Sequence, residues 1–253
     1  MDNTPLMGRV ALVTGAGRNI GRAIALALAD AGAAVAVNVR ASRNEGQAVA
    51  DEIAARGGES LLVVADVTQR DGVDAMIAAI AQRFGRLDTV VNNAAIRNEV
   101  AFADLPYAAW RAAQAVCVDG AFHCTQAALP LLRASGEGAV INIGGLTANT
   151  GATRRAHVVT AKAALGGLTR ALAHELAEFA ITVNCVAPGM MDTVRKAESA
   201  GGTPAHHATH ATLLGRRGHP DDIAGAVAWL AGPGGRFVTG QTLHVNGGAY
   251  LGS

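Results

Sequence analysis

The sequence predicts an α/β protein with a single doubly wound parallel sheet and helices on both faces. Short apolar runs alternate with segments of helical periodicity along the 253 residues, and the first apolar run ends in a Gly-rich turn. Strand–helix repetition on this scale implies parallel strands joined by right-handed crossovers. The length suits one domain over residues 1–253.

The predicted elements follow one another with short gaps. Apolar runs typical of strands buried on both faces lie at residues 9–14, 35–39, 61–65, 87–91, 140–143, 182–186 and 242–245. Helical spacing of apolar residues lies at residues 20–30, 44–56, 73–84, 110–132, 160–179 and 220–230. Gly32 follows the first of these helices as a natural stop. Residues 190–217 are polar and show no periodicity, which predicts a substrate lid.

Composition excludes several classes of function. The net charge is +1, so no long-range field favours nucleic acid or a membrane surface. The first residues lack the basic-then-apolar pattern of a signal peptide, and no apolar run approaches the roughly 18 residues of a membrane span. Three cysteines are too few for a disulfide framework. We therefore expect a soluble, cytoplasmic protein that binds neither nucleic acid nor a membrane.

A Gly-rich turn joins the first predicted strand to the first predicted helix. It reads Thr14-Gly15-Ala16-Gly17-Arg18-Asn19-Ile20-Gly21. Glycines at such a turn let the backbone approach a pyrophosphate, which then rests on the helix N-terminus. Asn19 stands where a glycine is usual, and asparagine tolerates a positive φ better than most residues. The segment predicts a dinucleotide site.

This turn resembles the fingerprint of the short-chain dehydrogenase/reductase family, and several later segments resemble the family at its usual spacing. They are Asp66-Val67, Asn92-Asn93-Ala94-Ala95, the helix from Lys162, Asn184 to Thr193, Gly215 to Ala224, and Val238 to Gly248. The resemblance implies a Rossmann fold, a nicotinamide cofactor and a homo-oligomer, commonly a tetramer built on the two longest helices. The predicted cofactor-binding residues are Gly15, Arg18, Asn19, Ile20, Gly21, Arg40, Asp66, Val67, Asn93, Ala94, Lys162, Pro188, Gly189, Met191 and Thr193.

The end of the second predicted strand favours NADP(H) over NAD(H). NAD binders carry a carboxylate there, which holds the ribose 2′-hydroxyl. Here Val39 is followed by Arg40, with Arg43 nearby and Arg18 in the first turn. Arginine binds a 2′-phosphate in a bidentate way. The alternative is that Arg40 and Arg43 are solvated loop residues.

The resemblance also implies four catalytic positions, and one of them carries the family's residue. Lys162 stands at the lysine position, whereas the tyrosine, serine and asparagine positions hold Val158, Gly145 and Cys117. General acid–base catalysis contributes about 10²–10⁴-fold, and a hydrogen bond to the reacting oxygen is of similar worth. The family's usual mechanism therefore cannot operate with these residues.

Two residues are candidates for the missing proton transfer. His157 titrates near neutrality, and Lys162 would act as an acid if burial lowered its pKa. The alternatives are that His157 points away from the pocket and that Lys162 only binds the ribose. Thr147, Asn149 and Thr153 either donate hydrogen bonds to a substrate or serve turns.

Three other features have both a functional and a structural interpretation. His206, His207 and His210 have a spacing that suits a metal if helical, but no carboxylate or cysteine completes the ligand set, so we predict no metal site. Arg154 and Arg155 either attract an anionic substrate or are solvated at the surface. Cys117 has no recognisable base or cation beside it in the sequence, so we interpret it as a small apolar helix residue.

Three functional hypotheses remain. The favoured one is an NADP(H)-dependent oxidoreductase for a small molecule, with non-standard catalytic residues, in which His157, Lys162, water or a group of the substrate supplies the proton. The second is a non-catalytic NADP(H)-binding sensor or oligomer partner. The third is a lyase, isomerase or hydrolase that uses the same pocket, and the nicotinamide-side residues Lys162, Pro188 and Thr193 weaken it because they indicate that bound cofactor matters.

Overall fold

Within the part of the chain that the structure describes, residues 4–193 and 211–252 of a computed structural model, seven strands form one sheet. The strands are β1 Val10–Val13, β2 Ala34–Val39, β3 Ser60–Val64, β4 Thr89–Asn92, β5 Ala139–Ile143, β6 Thr182–Pro188 and β7 Thr242–Val245. Their order is β3-β2-β1-β4-β5-β6-β7, and every neighbouring pair is parallel. The predicted doubly wound parallel sheet is confirmed.

Helices connect the strands of this sheet. They are α1 Asn19–Asp30, α2 Arg43–Ala55, α3 Arg70–Phe84, α4 Tyr107–Gln114, α5 Gly120–Ser135, α6 Thr147–Thr150, α7 Ala156–Leu176 and α8 Pro220–Ala231. A π-helical turn, Ala115–Asp119, joins α4 to α5, and short 3₁₀ turns lie at Phe102–Asp104, Ala177–Phe179 and Pro233–Gly235.

The core consists of two apolar layers, one on each face of the sheet. On one face, α1, α2 and α8 pack against the strands through residues such as Ile24, Ile53 and Ile223. On the other face, α3, α5 and α7 pack through residues such as Ile80 and Leu132. The central strands are buried on both sides, which explains why they read as continuous apolar runs rather than as alternating ones.

The structure extends several predicted elements. Helix α7 begins at Ala156 rather than at residue 160, so Val158 and Lys162 lie one turn apart in the same helix. Helix α4 begins at Tyr107, three residues before the predicted start. The short helix α6 was not predicted, because its Thr and Asn residues have low helix propensity and one turn shows no periodicity.

The predicted substrate lid lies largely outside the described residues. Residues 194–210 are not described, and His206, His207 and His210 fall among them. The two ends of the segment meet where Met191 forms a parallel bridge with Gly218. The lid and the single-domain boundary stay predictions.

One helical stretch among the described residues, Tyr107–Ser135, is long and apolar enough to cross a membrane by length and composition. No apolar run in the sequence predicted a stretch of this kind. Core helices of globular proteins pass the same test, and Cys124, Ala128 and Leu132 of this stretch are fully buried in the apolar layer of the sheet.

Candidate active site

A cavity of about 1010 Å³ lies at the carboxyl ends of the parallel strands. Residues that follow β1, β2, β3, β4, β5 and β6 line it, and it spans the point where the strand order reverses between β1 and β4. Open α/β sheets bind ligands in this crevice. Every predicted cofactor-binding residue lines the cavity: Gly15, Arg18, Asn19, Ile20, Gly21, Arg40, Asp66, Val67, Asn93, Ala94, Lys162, Pro188, Gly189, Met191 and Thr193.

The Gly-rich turn adopts the backbone conformation that its sequence predicts. Gly15 has φ +63° and Asn19 has φ 50°, so the expected positive φ at the asparagine is confirmed. Gly21 also has a packing role. A Cβ at Gly21 would collide with the carbonyl oxygen of Gly15 and would lie 2.5 Å from Asn93 Nδ2. Gly21 is therefore required for close packing of α1 on the turn, not only for the approach of a ligand.

Side chains of two buried asparagines hold the turn in place. Asn93 Nδ2 donates to the carbonyl oxygens of Thr14 and Gly15 at 2.9 and 3.1 Å. Asn38 Oδ1 accepts from Gly15 N at 3.4 Å, and its Nδ2 donates to Ala65 O at 3.0 Å. Sequence analysis missed Asn38, although a polar residue near the end of the apolar strand Ala34–Val39 is a signal that was available.

A second buried polar network lies at the ends of β4 and β5. Asn92 Nδ2 donates to Asn142 Oδ1 at 2.9 Å and to Thr125 Oγ1 at 3.1 Å, and Asn142 Nδ2 donates to Thr169 Oγ1 at 2.9 Å. This network links β4, β5, α5 and α7. Asn142 was also missed by the sequence analysis, because β5 is otherwise an apolar run.

Two cationic side chains and one carboxylate line the cavity around the end of β2. Val39 is buried, and the exposed Arg18 and Arg40 line the cavity, whereas Arg43 is not among the described lining residues. Glu45, in the first turn of α2, also lines the cavity and lies beside Gly17. No motif in the sequence predicted this carboxylate.

Lys162 lines the cavity from inside α7, and its side chain is buried. Its Nζ donates to the carbonyl oxygen of Ile143 at the end of β5. Burial lowers the pKa of Lys162, and the guanidinium groups of Arg97 and Arg155 lower it further, against the opposing effect of two thiols. One of those thiols belongs to Cys117, so the Lys162 cation lies within electrostatic range of this buried cysteine, a neighbour that the local sequence did not reveal.

His157 is completely buried and is not among the described residues that line the cavity. Its Nε2 lies 2.9 Å from Asn98 Oδ1, and Asn98 lines the cavity. Burial, and to a smaller extent the charge of Arg155, lower the pKa of His157. The geometry agrees with the alternative in which this side chain points away from the pocket, and a direct role in proton transfer stays a prediction.

The part of the cavity lined by residues that follow β4, β5 and β6, called the substrate end below, has more cationic side chains than carboxylates in its lining. Arg97, Arg155, Arg217 and Lys162 line it together with the carboxylate of Asp192. Arg155 is buried, in contrast to the interpretation of a solvated surface residue, whereas Arg154 is exposed and is not among the described lining residues. Of the candidate hydroxyl and amide donors, Thr147 lines the cavity, and Asn149 and Thr153 are not among the described lining residues. In the same described part of the chain, no group of three or more His, Cys, Asp or Glu residues is arranged to hold a metal ion.

Comparison with known proteins identifies the family. The family model described as enoyl-(acyl carrier protein) reductase matches residues 15–250. The 3-oxoacyl-[acyl-carrier-protein] reductase FabG of Staphylococcus aureus strain Mu50 is 40% identical over 245 residues, which cover 97% of this chain and 99% of that protein. The chain belongs to the short-chain dehydrogenase/reductase family. The corresponding reductase of Vibrio cholerae is 37% identical over 247 residues, with 97% and 99% coverage.

Solved structures of short-chain dehydrogenases/reductases agree with this assignment. A dehydrogenase/reductase from Sinorhizobium meliloti 1021 has a TM-score of 0.91 at 36% identity and covers 99% of each chain. A short-chain dehydrogenase from Burkholderia cenocepacia J2315, solved in complex with NADP, has a TM-score of 0.89 at 35% identity and covers 97% of this chain and 99% of its own. The protein is thus an oxidoreductase by family.

The three positions that the resemblance assigns to the tyrosine, serine and asparagine differ in their access to the cavity. Val158 and Gly145 line it, whereas Cys117 is buried in the π-helical turn and is not among the described lining residues. A Cβ at Gly145 would meet no atom within 4 Å, whereas one at Gly144 would lie 2.7 Å from Cys185 Sγ. Space for a side chain therefore remains at the serine position.

Proposed function

We propose that the protein is an NADP(H)-dependent oxidoreductase for a small anionic substrate and that it transfers protons without the family's tyrosine. One observation carries the proposal. A single cavity is lined at one end by the dinucleotide turn with Arg18 and Arg40, and at the other end by Lys162 among arginines. The first end suits a dinucleotide phosphate, and the second suits an electrophilic substrate with negative charge.

The residues present fit NADP(H). The Gly-rich turn lies at the N-terminus of α1, and the buried Val39 leaves no carboxylate at the end of β2 to repel a 2′-phosphate. Arg18 and Arg40 supply the cations, and the relative from Burkholderia cenocepacia was solved with NADP. Glu45 disfavours a 2′-phosphate, because its carboxylate lines the same end of the cavity as Arg18 and Arg40. Two arginines against one carboxylate favour the phosphate.

We assign proton transfer to Lys162 rather than to His157. Lys162 lines the cavity and its pKa is lowered by burial, so its ammonium group is a better acid than a solvated lysine. When bound, NADPH supplies a hydride to the electrophilic carbon of the substrate. Lys162 then donates its Nζ proton to the atom on which negative charge develops, and it is reprotonated from solvent. His157 has no such access, because its ring is completely buried.

The positive charge at the substrate end supports an anionic substrate. The relatives named as reductases of 3-oxoacyl groups on acyl carrier protein suggest an oxo group as the reacting function. Arg97, Arg155 and Arg217 would attract a carboxylate or phosphate on the same molecule. The substrate that fits both observations is a small oxo acid.

We also propose that the protein acts in the cytoplasm as a homotetramer built through α5 and α7. Exposed small residues on α7, Ala163 and Gly167, support close helix packing. Sedimentation velocity would show a tetramer, and Gly167→Arg would shift the protein to smaller species. A monomeric wild-type protein would contradict this assembly.

Two measurements test the proposed activity. Fluorescence titration should show NADPH binding more tightly than NADH, and loss of NADPH absorbance should be faster with oxo acids than with their neutral esters. Lys162→Ala should abolish turnover. If NADPH does not bind, the proposal fails. If NADPH binds but no substrate in the panel is turned over, a non-catalytic NADP(H) sensor replaces it, an alternative that the buried Val158 at the tyrosine position favours.

A further inference from the structure

We propose that Asn98 binds and orients the substrate oxygen in this site and that the buried His157 is the residue that positions Asn98. The inference rests on the proposed function, because it assumes that a substrate occupies the cavity. It assigns a role to two residues that the resemblance leaves without one.

The two residues lie beside the position where the tyrosine is missing. His157 and Val158 are adjacent in the first turn of α7, and Val158 and Asn98 both line the cavity. The distance from His157 Nε2 to Asn98 Oδ1 is 2.9 Å. The amide of Asn98 is therefore attached, through one hydrogen bond, to the residue next to the vacant tyrosine position.

The surroundings of the His157 ring fix which groups donate. Asn98 Oδ1 only accepts, so His157 Nε2 carries the proton and Nδ1 is bare. Within the described residues, Nδ1 is buried and has no hydrogen-bond partner. A buried nitrogen without a proton is less costly than a buried N–H without an acceptor. Burial and the charge of Arg155 also favour the neutral ring over the protonated one, since both lower the pKa of His157.

This arrangement leaves the amide nitrogen of Asn98 available to a ligand. Asn98 Nδ2 has no hydrogen bond to the described residues, and the residue is exposed to the cavity. Its two N–H groups can donate hydrogen bonds to a carbonyl oxygen of the substrate. These hydrogen bonds strengthen as negative charge develops on that oxygen. The amide group of Asn98 cannot itself act as the proton donor, because an amide does not release a proton near neutral pH. Asn98 therefore replaces the hydrogen bonds of the lost hydroxyls, and Lys162 keeps the proton transfer.

The backbone around the pair is held at two further points. Val100 N donates to Arg154 O at 2.8 Å, which pins the loop of Asn98 to the segment before α7. Gln114 Nε2 donates to His157 O at 3.2 Å, which pins the start of α7 to α4. A donor on a loop fixed in this way loses little entropy when it binds a ligand.

The first experiment removes the donors of Asn98 and keeps its hydrogen bond to His157. Asn98→Asp retains an oxygen for His157 Nε2–H but has no N–H group. Removal of one such donor typically costs about 10²–10³-fold in kcat, and we expect a loss of that size with NADPH affinity unchanged. Asn149→Asp is the matched control, because Asn149 is exposed on α6 and outside the described cavity lining. It should keep wild-type turnover.

The second experiment distinguishes positioning from acid catalysis by His157. His157→Leu should lower kcat and leave NADPH affinity unchanged, and His157→Gln, which keeps an N–H donor, should recover most of the loss. The pH–rate profiles of the wild type, His157→Leu and His157→Gln should show the same ionisations. Loss of an ionisation in His157→Leu would identify His157 as the acid and overturn the proposal, as would wild-type kcat in Asn98→Asp.

A readout that needs no turnover separates this inference from the proposed function. Nitrogen NMR of the His157 ring should show the neutral Nε2–H tautomer, and Asn98→Asp should raise the pKa of His157. Acetoacetate should bind the NADP⁺ complex of wild type and Asn149→Asp equally, and Asn98→Asp about 10-fold more weakly, as expected when about 1.4 kcal/mol is lost. If acetoacetate binds the wild type and Asn98→Asp equally, or binds neither, the proposed role of Asn98 is wrong. Weakened binding without any turnover would reject only the oxidoreductase activity.

Discussion

The side-chain amide of Asn93 donates to the carbonyl oxygen of Thr14 at 2.9 Å and so ties the loop after β4 to the turn after β1. The contact is reciprocal. Thr14 Oγ1 accepts from the backbone nitrogens of Asn93 and Ala94 at 3.0 and 3.1 Å. The shape of the dinucleotide turn therefore depends on a residue from the neighbouring strand as well as on its own glycines.

Replacement of Asn93 should weaken both the fold and the cofactor site. Asn93→Ala removes two hydrogen bonds and leaves the carbonyls of Thr14 and Gly15 without their donor. A buried polar group without a partner costs about 1–3 kcal/mol. We expect the free energy of unfolding in urea to fall by about that amount and the NADPH titration to show weaker binding. Unchanged values of both quantities would mean that the turn holds its shape alone.

Two glycine-to-alanine variants should have opposite effects on stability. Gly21→Ala places a methyl group against the Gly15 carbonyl oxygen, and such overpacking typically costs about 1–3 kcal/mol. Gly225, exposed inside α8, has no atom within 4 Å of the added Cβ. Gly225→Ala should therefore stabilise by about 0.5–1 kcal/mol, because alanine loses less backbone entropy in a helix. Thermal unfolding of both variants checks the pair, and destabilisation of both would contradict it.

Stability should decrease as the pH falls below about 6.5, the usual pKa of histidine. The folded-state pKa values of His157 and His244 are lowered by burial, so the folded protein binds fewer protons than the unfolded chain. Their contribution is fully present above the unfolded pKa and is lost as the pH falls towards the folded values. His157→Gln should flatten the fall in unfolding free energy between about pH 7 and pH 5. An equally steep fall in this variant would assign the pH dependence to other groups.

Local sequence predicted the fold and the Gly-rich turn that lines the cavity, because strands buried on both faces and a turn of this kind leave patterns within a few residues. It did not predict Asn38, Glu45 or Asn98, whose importance comes from neighbours distant in the chain. His157 shows both outcomes. The alternative that its side chain points away from the pocket agrees with its complete burial, whereas its hydrogen bond to Asn98 joins two residues far apart in the chain and left no local pattern.

The charges at the end of β2 predict the cofactor preference. Arg40→Ala should weaken NADPH binding and leave NADH binding nearly unchanged, since a hydrogen bond to a charged group contributes about 1.5–3 kcal/mol. Glu45→Gln should have the opposite effect, because the variant removes the carboxylate that lines the same end. Titration of both variants with NADPH and NADH checks the prediction. A parallel loss for both cofactors in Arg40→Ala would show that Arg40 does not contact the 2′-phosphate.

Introducing a serine at position 145 and a tyrosine at position 158 should create ordinary ketone reduction in this scaffold. Gly145 has open space for a serine side chain, and Val158 lines the cavity, so a tyrosine there can project into it. Lys162 is one turn further along α7, close enough to lower the pKa of the new phenol. Gly145→Ser with Val158→Tyr should raise NADPH-dependent reduction of neutral ketones by about 10²–10⁴-fold, the usual contribution of a positioned acid. Val158→Phe with Gly145→Ser is the matched control, since it adds the same ring without the hydroxyl. Equal rates in the two double variants would show that the cavity does not place a ketone against residue 158, and the tyrosine position inferred from the resemblance would then be wrong.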